Sequence, residues 1–131
     1  MYYSLENMAK KDEDELNKIV TYLGAGDFQK IREILKKLKE KDTKIDLSSF
    51  TCNITKISRL HLAVVLGDIQ VAKDLIFKGA AHVDGQTKQK CRPLHLALIF
   101  DQSDMIRMLL KTGADPHLDR YFHCYNIRIN I

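Results

Sequence analysis

The 131-residue sequence predicts an all-α fold, a solenoid of short helix pairs stacked side by side, and two observations carry that expectation. The first is self-similarity. Leu60-His61-Leu62-Ala63 returns as Leu94-His95-Leu96-Ala97, 34 residues later, and Leu75 to Ala80 answers Leu109 to Ala114 at the same offset. Two blocks in one register are far harder to obtain by chance than one, and a repeat of that length marks stacked supersecondary units. The second is apolar spacing. Leu16, Ile19, Val20 and Leu23 fall at i, i+3, i+4 and i+7, which is one face of a helix.

Taken in chain order, the first unit is a degenerate capping repeat over residues 12–38. Its first helix ends at Gly24-Ala25-Gly26. Asp27 is placed to cap the second, whose apolar stripe is Phe28, Ile31, Ile34, Leu35 and Leu38. Gly26-Asp27 matches Gly67-Asp68 at an offset of 41, so about seven extra residues separate the first two units. They fall in a polar insertion, residues 39–52.

The middle unit covers 53–85. Leu60, Ala63 and Val64 face inward, Gly67 breaks the helix, and Asp68 caps a second one carrying Ala72, Leu75 and Ile76. Gly79 supplies the left-handed residue that closes it. The third unit, 86–118, opens with Pro93 at a first-turn position, takes Ser103 as the cap of its second helix and ends at Gly113. A tail of 119–131 follows, in which Tyr125 to Ile131 alternates apolar and polar residues. That is the period of a half-buried strand, and a short C-terminal β-strand is expected there.

Composition narrows the function classes. Lys and Arg total 21 against 17 acids, for a net charge of +4, and acids interrupt the lysines along most of the chain. A nucleic-acid footprint would gather its cations on one face, so nucleic acid is an unfavoured partner. The apolar runs fall far short of the roughly 20 residues that cross a bilayer, and residues 1–14 contain no apolar core of a secretory signal. Cys52, Cys91 and Cys124 are odd in number and widely spaced, which fits a reducing compartment. An intracellular location is therefore expected, cytoplasmic in the first place and nuclear in the second.

At residue level, Arg92-Pro93-Leu94-His95-Leu96-Ala97 with Gly113-Ala114-Asp115, and Leu60-His61-Leu62-Ala63 with Gly79-Ala80, resemble the ankyrin-repeat family. The clear resemblance covers Asn53 to about His117. Ser58-Arg59 and Arg92 depart from the Thr-Pro opening, Asp101 stands where the family turn prefers Gly, and the first unit lacks the Leu-His signature. The resemblance implies structural roles for His61 and His95, whose rings bond backbone and stitch loops together, and for Gly79 and Gly113 as helix ends. Two such histidines on neighbouring stacked helices, about 8–10 Å apart, are too distant to share a metal.

No catalytic residues, cofactor or metal site are expected. His123 and Cys124 adjoin in sequence without an orienting third group, and neither Gly24-Ala25-Gly26 nor Gly79 to Gly85 has the spacing of a nucleotide-binding loop. The resemblance instead implies a surface. Its groove positions are Val65, Leu66, Ile99 and Phe100, and a polar fingertip runs from Gln86 through Lys88, Gln89 and Lys90. The expected function is a non-catalytic module that binds another protein through groove and fingertips, as an inhibitor or adaptor. Small proteins of this kind resemble the cytoplasmic inhibitors of Rel-type transcription factors and their short viral mimics. The alternative is an assembly protein that forms a homodimer by pairing the strand of residues 125–131, which fits the exposed-edge logic of strands.

Overall fold

The structure is a computed structural model that describes residues 2–48, 50 and 55–116. Among the described residues there are six α-helices and no strand. The chain divides into two compact units, with the boundary between Ser49 and Phe50.

The first unit holds α1 (Tyr2–Ala25) packed on α2 (Phe28–Glu40). Helix α1 begins about ten residues before the unit boundary that periodicity placed at 12. The added segment carries only the short apolar set Leu5, Met8 and Ala9 before the acids of residues 12–15, but it contains Leu, Glu, Lys, Ala and Met and is free of Gly and Pro, so it follows helix propensity. Leu16, Ile19 and Leu23 are buried, as the spacing required, and Val20 is half-buried. Gly26, at φ 77°, takes the left-handed conformation that ends α1. The Asp27 N–H then reaches back to the Tyr22 carbonyl at 2.9 Å, closing the six-residue loop of a Schellman end. Asp27 caps α2 by accepting from the Lys30 N–H at 3.3 Å. In α2, Phe28, Ile31 and Ile34 are buried, while Leu35 and Leu38 are only half-buried. The polar insertion is less polar in effect than its composition: Ile45 and Leu47 within it are buried.

The second unit holds two helix pairs in the 34-residue register. Helices α3 (Arg59–Leu66) and α4 (Ile69–Phe77) form one, and α5 (Pro93–Ile99) and α6 (Ser103–Lys111) the other. Each pair packs internally, α3 packs on α5, and α4 packs on α6. The turns repeat bond for bond. Asp68 N–H donates to Ala63 O and Gln102 N–H to Ala97 O, both at 2.9 Å. Ala80 N–H donates to Leu75 O at 3.0 Å, and Ala114 N–H to Leu109 O at 2.9 Å. Gly79 and Gly113 sit at φ 69° and 102° beyond their helices, and Asp101 adopts φ 53° where the earlier repeat has Gly67 at 74°.

Asp68 caps α4 through its side chain, accepting from the Val71 N–H at 3.2 Å. The cap of α6 is Gln102 and Ser103 is the first helical residue, so the helix begins one residue earlier than a Ser103 cap requires. The reason is the register, which puts Gln102 where Asp68 stands in the preceding pair. The alternating segment 125–131 and the tail from residue 119 lie outside the described residues.

Helices α3 and α5 are largely apolar and bury most of their residues, which makes them the inner layer of the unit. Helices α4 and α6 bury one stripe each, with Ala72 in the first and Met105, Met108 and Leu109 in the second. Their other faces are the outer surface.

Candidate protein-interaction surface

The framework of the surface is the pair of buried histidines. His61 and His95 are each 1% exposed. Carbonyl oxygens only accept, so the hydrogen on His61 sits on Nε2, shared between Gly85 O at 2.8 Å and Cys91 O at 3.2 Å. Nδ1 is then the acceptor, taking the Ser58 N–H at 3.0 Å and the Ser58 hydroxyl at 2.7 Å. Ser58 Oγ in turn accepts from the His61 N–H at 3.3 Å. One ring thus closes the N-terminus of α3 and fastens the loop that runs to α5. Burial pushes the His61 imidazole below its ordinary pKa of 6.5, although the two carbonyls oppose the shift. His95 repeats the first half of this arrangement, with Nδ1 accepting the Arg92 N–H at 3.1 Å. Both rings hold backbone. Among the described residues no group of three His, Cys, Asp or Glu side chains could hold a metal ion, and no helix is long and apolar enough to cross a membrane.

The loop that His61 fastens carries the fingertip. Thr87 is buried; its N–H donates to Cys91 O at 2.9 Å, and its hydroxyl accepts the Cys91 N–H at 3.1 Å. Lys90 N–H closes the tip on Thr87 O at 2.8 Å, and Lys88 N–H donates to Thr55 O at 2.8 Å, tying this finger to the one before it. Lys88, Gln89 and Lys90 are all exposed on that braced hairpin. Lys90 has φ 64°, and Lys56, one repeat earlier, has φ 58° and is also exposed. Lys88 and Lys90 therefore stand on a braced hairpin, and Lys56 is an exposed lysine in the same register, which the sequence alone did not single out. A further tie spans the repeat, where the Asp84 carboxylate accepts the Asp115 N–H at 3.1 and 3.2 Å.

The apolar groove positions divide. Val65 is fully buried and Ile99 is 4% exposed, so these two are core and not surface. Expecting all four on the groove treated α3 and α5 as helices with one covered face. In fact α3 is packed against both α4 and α5, and an inner helix covered on several sides has little apolar surface to spare. Leu66 and Phe100, at the last turn of α3 and the cap of α5, are half-buried. They are repeat mates and form the apolar row of the candidate surface.

Sequence reasoning also missed the outer face. Phe77 at the end of α4 is 74% exposed and Leu110 on α6 is 43% exposed. A signal was present, because Phe77 stands opposite Lys111 in the repeat register, and a position that accepts lysine in one copy is a surface position in both.

Comparison with known proteins agrees with this architecture. The family model described as ankyrin repeats (3 copies) matches residues 20–120. The mouse nuclear factor NF-kappa-B p105 subunit is 35% identical over 68 residues, covering 52% of this chain and 7% of the p105 subunit. An ankyrin repeat protein of Fowlpox virus is 40% identical over 67 residues, 49% of this chain and 16% of its own length. The mouse B-cell lymphoma 3 protein homolog is 41% identical over 66 residues, 47% of this chain and 15% of its own. Each match spans about half of this chain and less than a fifth of the relative. With a family match across most of its length and the helix pairs, turns and buried histidines in register, the chain belongs to the ankyrin-repeat family.

Proposed function

We propose that this protein is an inhibitor- or adaptor-like module that binds a partner protein through its fingertips and the half-buried row Leu66–Phe100. Ankyrin repeats are generally protein-interaction modules and typically non-enzymatic. The observation that carries the finer reading is the bracing of the finger. Lys88, Gln89 and Lys90 are exposed on a hairpin fixed by Thr87, Cys91 and Thr55, so little ordering entropy remains to be lost when a partner docks. Lysines at the rim steer an acidic surface inward, and Phe100 with Leu66 supplies the apolar anchor behind them.

Two of the relatives, the NF-kappa-B p105 subunit and the B-cell lymphoma 3 protein homolog, make a Rel-type transcription factor the first partner to assay. The test is affinity measurement with the full chain against such a dimer, comparing wild type with Lys88→Glu/Lys90→Glu and with Phe100→Ser. Binding weakened at least tenfold by both variants, with the helical spectrum kept, is the expected result. Binding unchanged by either removes the surface from the proposal.

A further inference from the structure

The outer helices form a cleft that the surface above does not use. It has a volume of about 330 Å³ and lies between α4 and α6. The walls follow from helix geometry, because residues four apart share a face. On α4 that row includes Lys73 and Phe77, and on α6 it includes Asp104 with Met108 and, beside them, Arg107 with Lys111. The 34-residue register sets Lys73 opposite Arg107 and Phe77 opposite Lys111. The cleft therefore has an apolar floor and wall made by Phe77 and Met108 and a rim of three cations.

Only part of its charge is spent internally. Asp104 is the one acid lining the cleft, and it pairs with Arg107 at 3.6 Å with both side chains about three-quarters exposed. Neither Lys73 nor Lys111 has an ion pair or hydrogen bond from its side chain among the described residues. The Phe77 ring, 74% exposed beside these two lysines, gives the cleft an apolar centre with a cationic rim.

We infer that this cleft is a second docking site, for a partner segment carrying an aromatic or aliphatic anchor flanked by carboxylates. The choice of occupant rests on charge. The chain's own tail, residues 117–131, offers a single acid, Asp119, against Arg120 and Arg128, and so does not complement a cleft that keeps two cations, Lys73 and Lys111, beyond the Asp104–Arg107 pair. An acidic segment does. The anchor seats between Phe77 and Met108, and its carboxylates reach Lys73 on one wall and Arg107 and Lys111 on the other. Since the cleft is on the outer helices and the fingertip is on the loop before α5, one molecule can hold two partners at once.

The experiment is selection from a random twelve-residue displayed peptide library on the full chain, counter-selected on Phe77→Ser and on Lys73→Glu/Lys111→Glu. Both variants alter exposed side chains only. The expected clones are rich in Glu and Asp around one large apolar residue. As synthetic peptides they bind wild type at least tenfold more tightly than either variant, lose affinity between 0.05 and 0.5 M salt, and are indifferent to Lys88→Glu/Lys90→Glu. Clones of neutral or basic composition, clones insensitive to Phe77→Ser, or no enrichment at all would overturn the inference. So would a fall in molecular mass on Phe77→Ser, which would make a second copy of this chain the occupant.

Discussion

His61 Nε2 donates to the carbonyl oxygen of Gly85 at 2.8 Å, across 24 residues of sequence, and so fixes the finger loop to the inner helix of the preceding repeat. The same ring accepts the Ser58 N–H at 3.0 Å, so one buried side chain serves a helix N-terminus and a loop together. Removing it strands the Ser58 N–H and the Gly85 carbonyl, while Cys91 O keeps the Thr87 N–H. The variant His61→Ala is expected to cost about 2–4 kcal/mol, the range for unsatisfied buried polar groups and a lost core side chain combined. Urea denaturation followed by circular dichroism checks this, and a loss below about 0.5 kcal/mol would mean that water replaces the ring without penalty.

The ring also makes stability depend on pH. Its folded pKa is held below the ordinary 6.5, chiefly by burial, so the unfolded chain binds the proton first as pH falls. Stability from this group is then fully present above about pH 7 and declines as pH drops through the ordinary histidine range. Protonating Nδ1 would also set two N–H groups against each other at Ser58. The urea midpoint should fall between pH 7 and pH 5, and fall less in His61→Gln. Asp46 does not confuse the window, because Ser48 lowers an already acidic carboxyl, and its effect lies at and below the ordinary carboxylate range. Equal slopes in wild type and His61→Gln would contradict the assignment.

Two glycines in left-handed conformations separate strain from crowding. An added Cβ at Gly67 (φ 74°) would lie 2.9 Å from Gln102 Nε2 and 3.1 Å from its Oε1, whereas at Gly79 (φ 69°) it would meet nothing within 4 Å. Both Ala variants incur a conformational cost of about 1 kcal/mol. Gly67→Ala must also displace the Gln102 side chain from the turn next to α6. Thermal melts are expected to rank wild type above Gly79→Ala, and Gly79→Ala above Gly67→Ala. The reverse order of the two variants would show that Gln102 moves away freely.

The repeat register exposes an uncapped helix. Asp27 and Asp68 cap α2 and α4 with their carboxylates, but Gln102, at the equivalent place before α6, makes no side-chain cap bond. The substitution Gln102→Asp should supply one and stabilise the protein by about 0.5–1 kcal/mol. A lower melting temperature would mean that the contact of Gln102 with the Gly67 turn is worth more than the cap.

Much of this fold was legible because the repeat is written twice. Gly67 and Asp101, Gly79 and Gly113, His61 and His95 each occupy one register, and a residue whose mate does the same task can be read without coordinates. Asp101 at φ 53° stands where a Gly was expected, as Asp tolerance of that conformation allows. What escaped reading lies where local pattern gives no answer. Val65 and Ile99 look like groove residues on a helix considered alone, and only packing against neighbouring helices makes them core. Ile45 and Leu47 are buried inside a segment whose lysines dominate its composition. The early start of α1 follows propensity, with only Leu5, Met8 and Ala9 as apolar spacing ahead of the acids at 12–15. Phe77 ends the apolar run Leu75-Ile76-Phe77, and only its repeat mate Lys111 marks the position as surface.

The central claim, that the braced finger and the Leu66–Phe100 row bind a partner protein, is tested most directly by one comparative capture. The full chain, Lys88→Glu/Lys90→Glu/Phe100→Ser and Phe77→Ser are immobilised side by side, and each is titrated with the same purified partner, a Rel-type dimer first. The account predicts that the partner is held by wild type and by Phe77→Ser but is lost, by at least tenfold in affinity, from the finger variant. Equal affinity for wild type and the folded finger variant would contradict it.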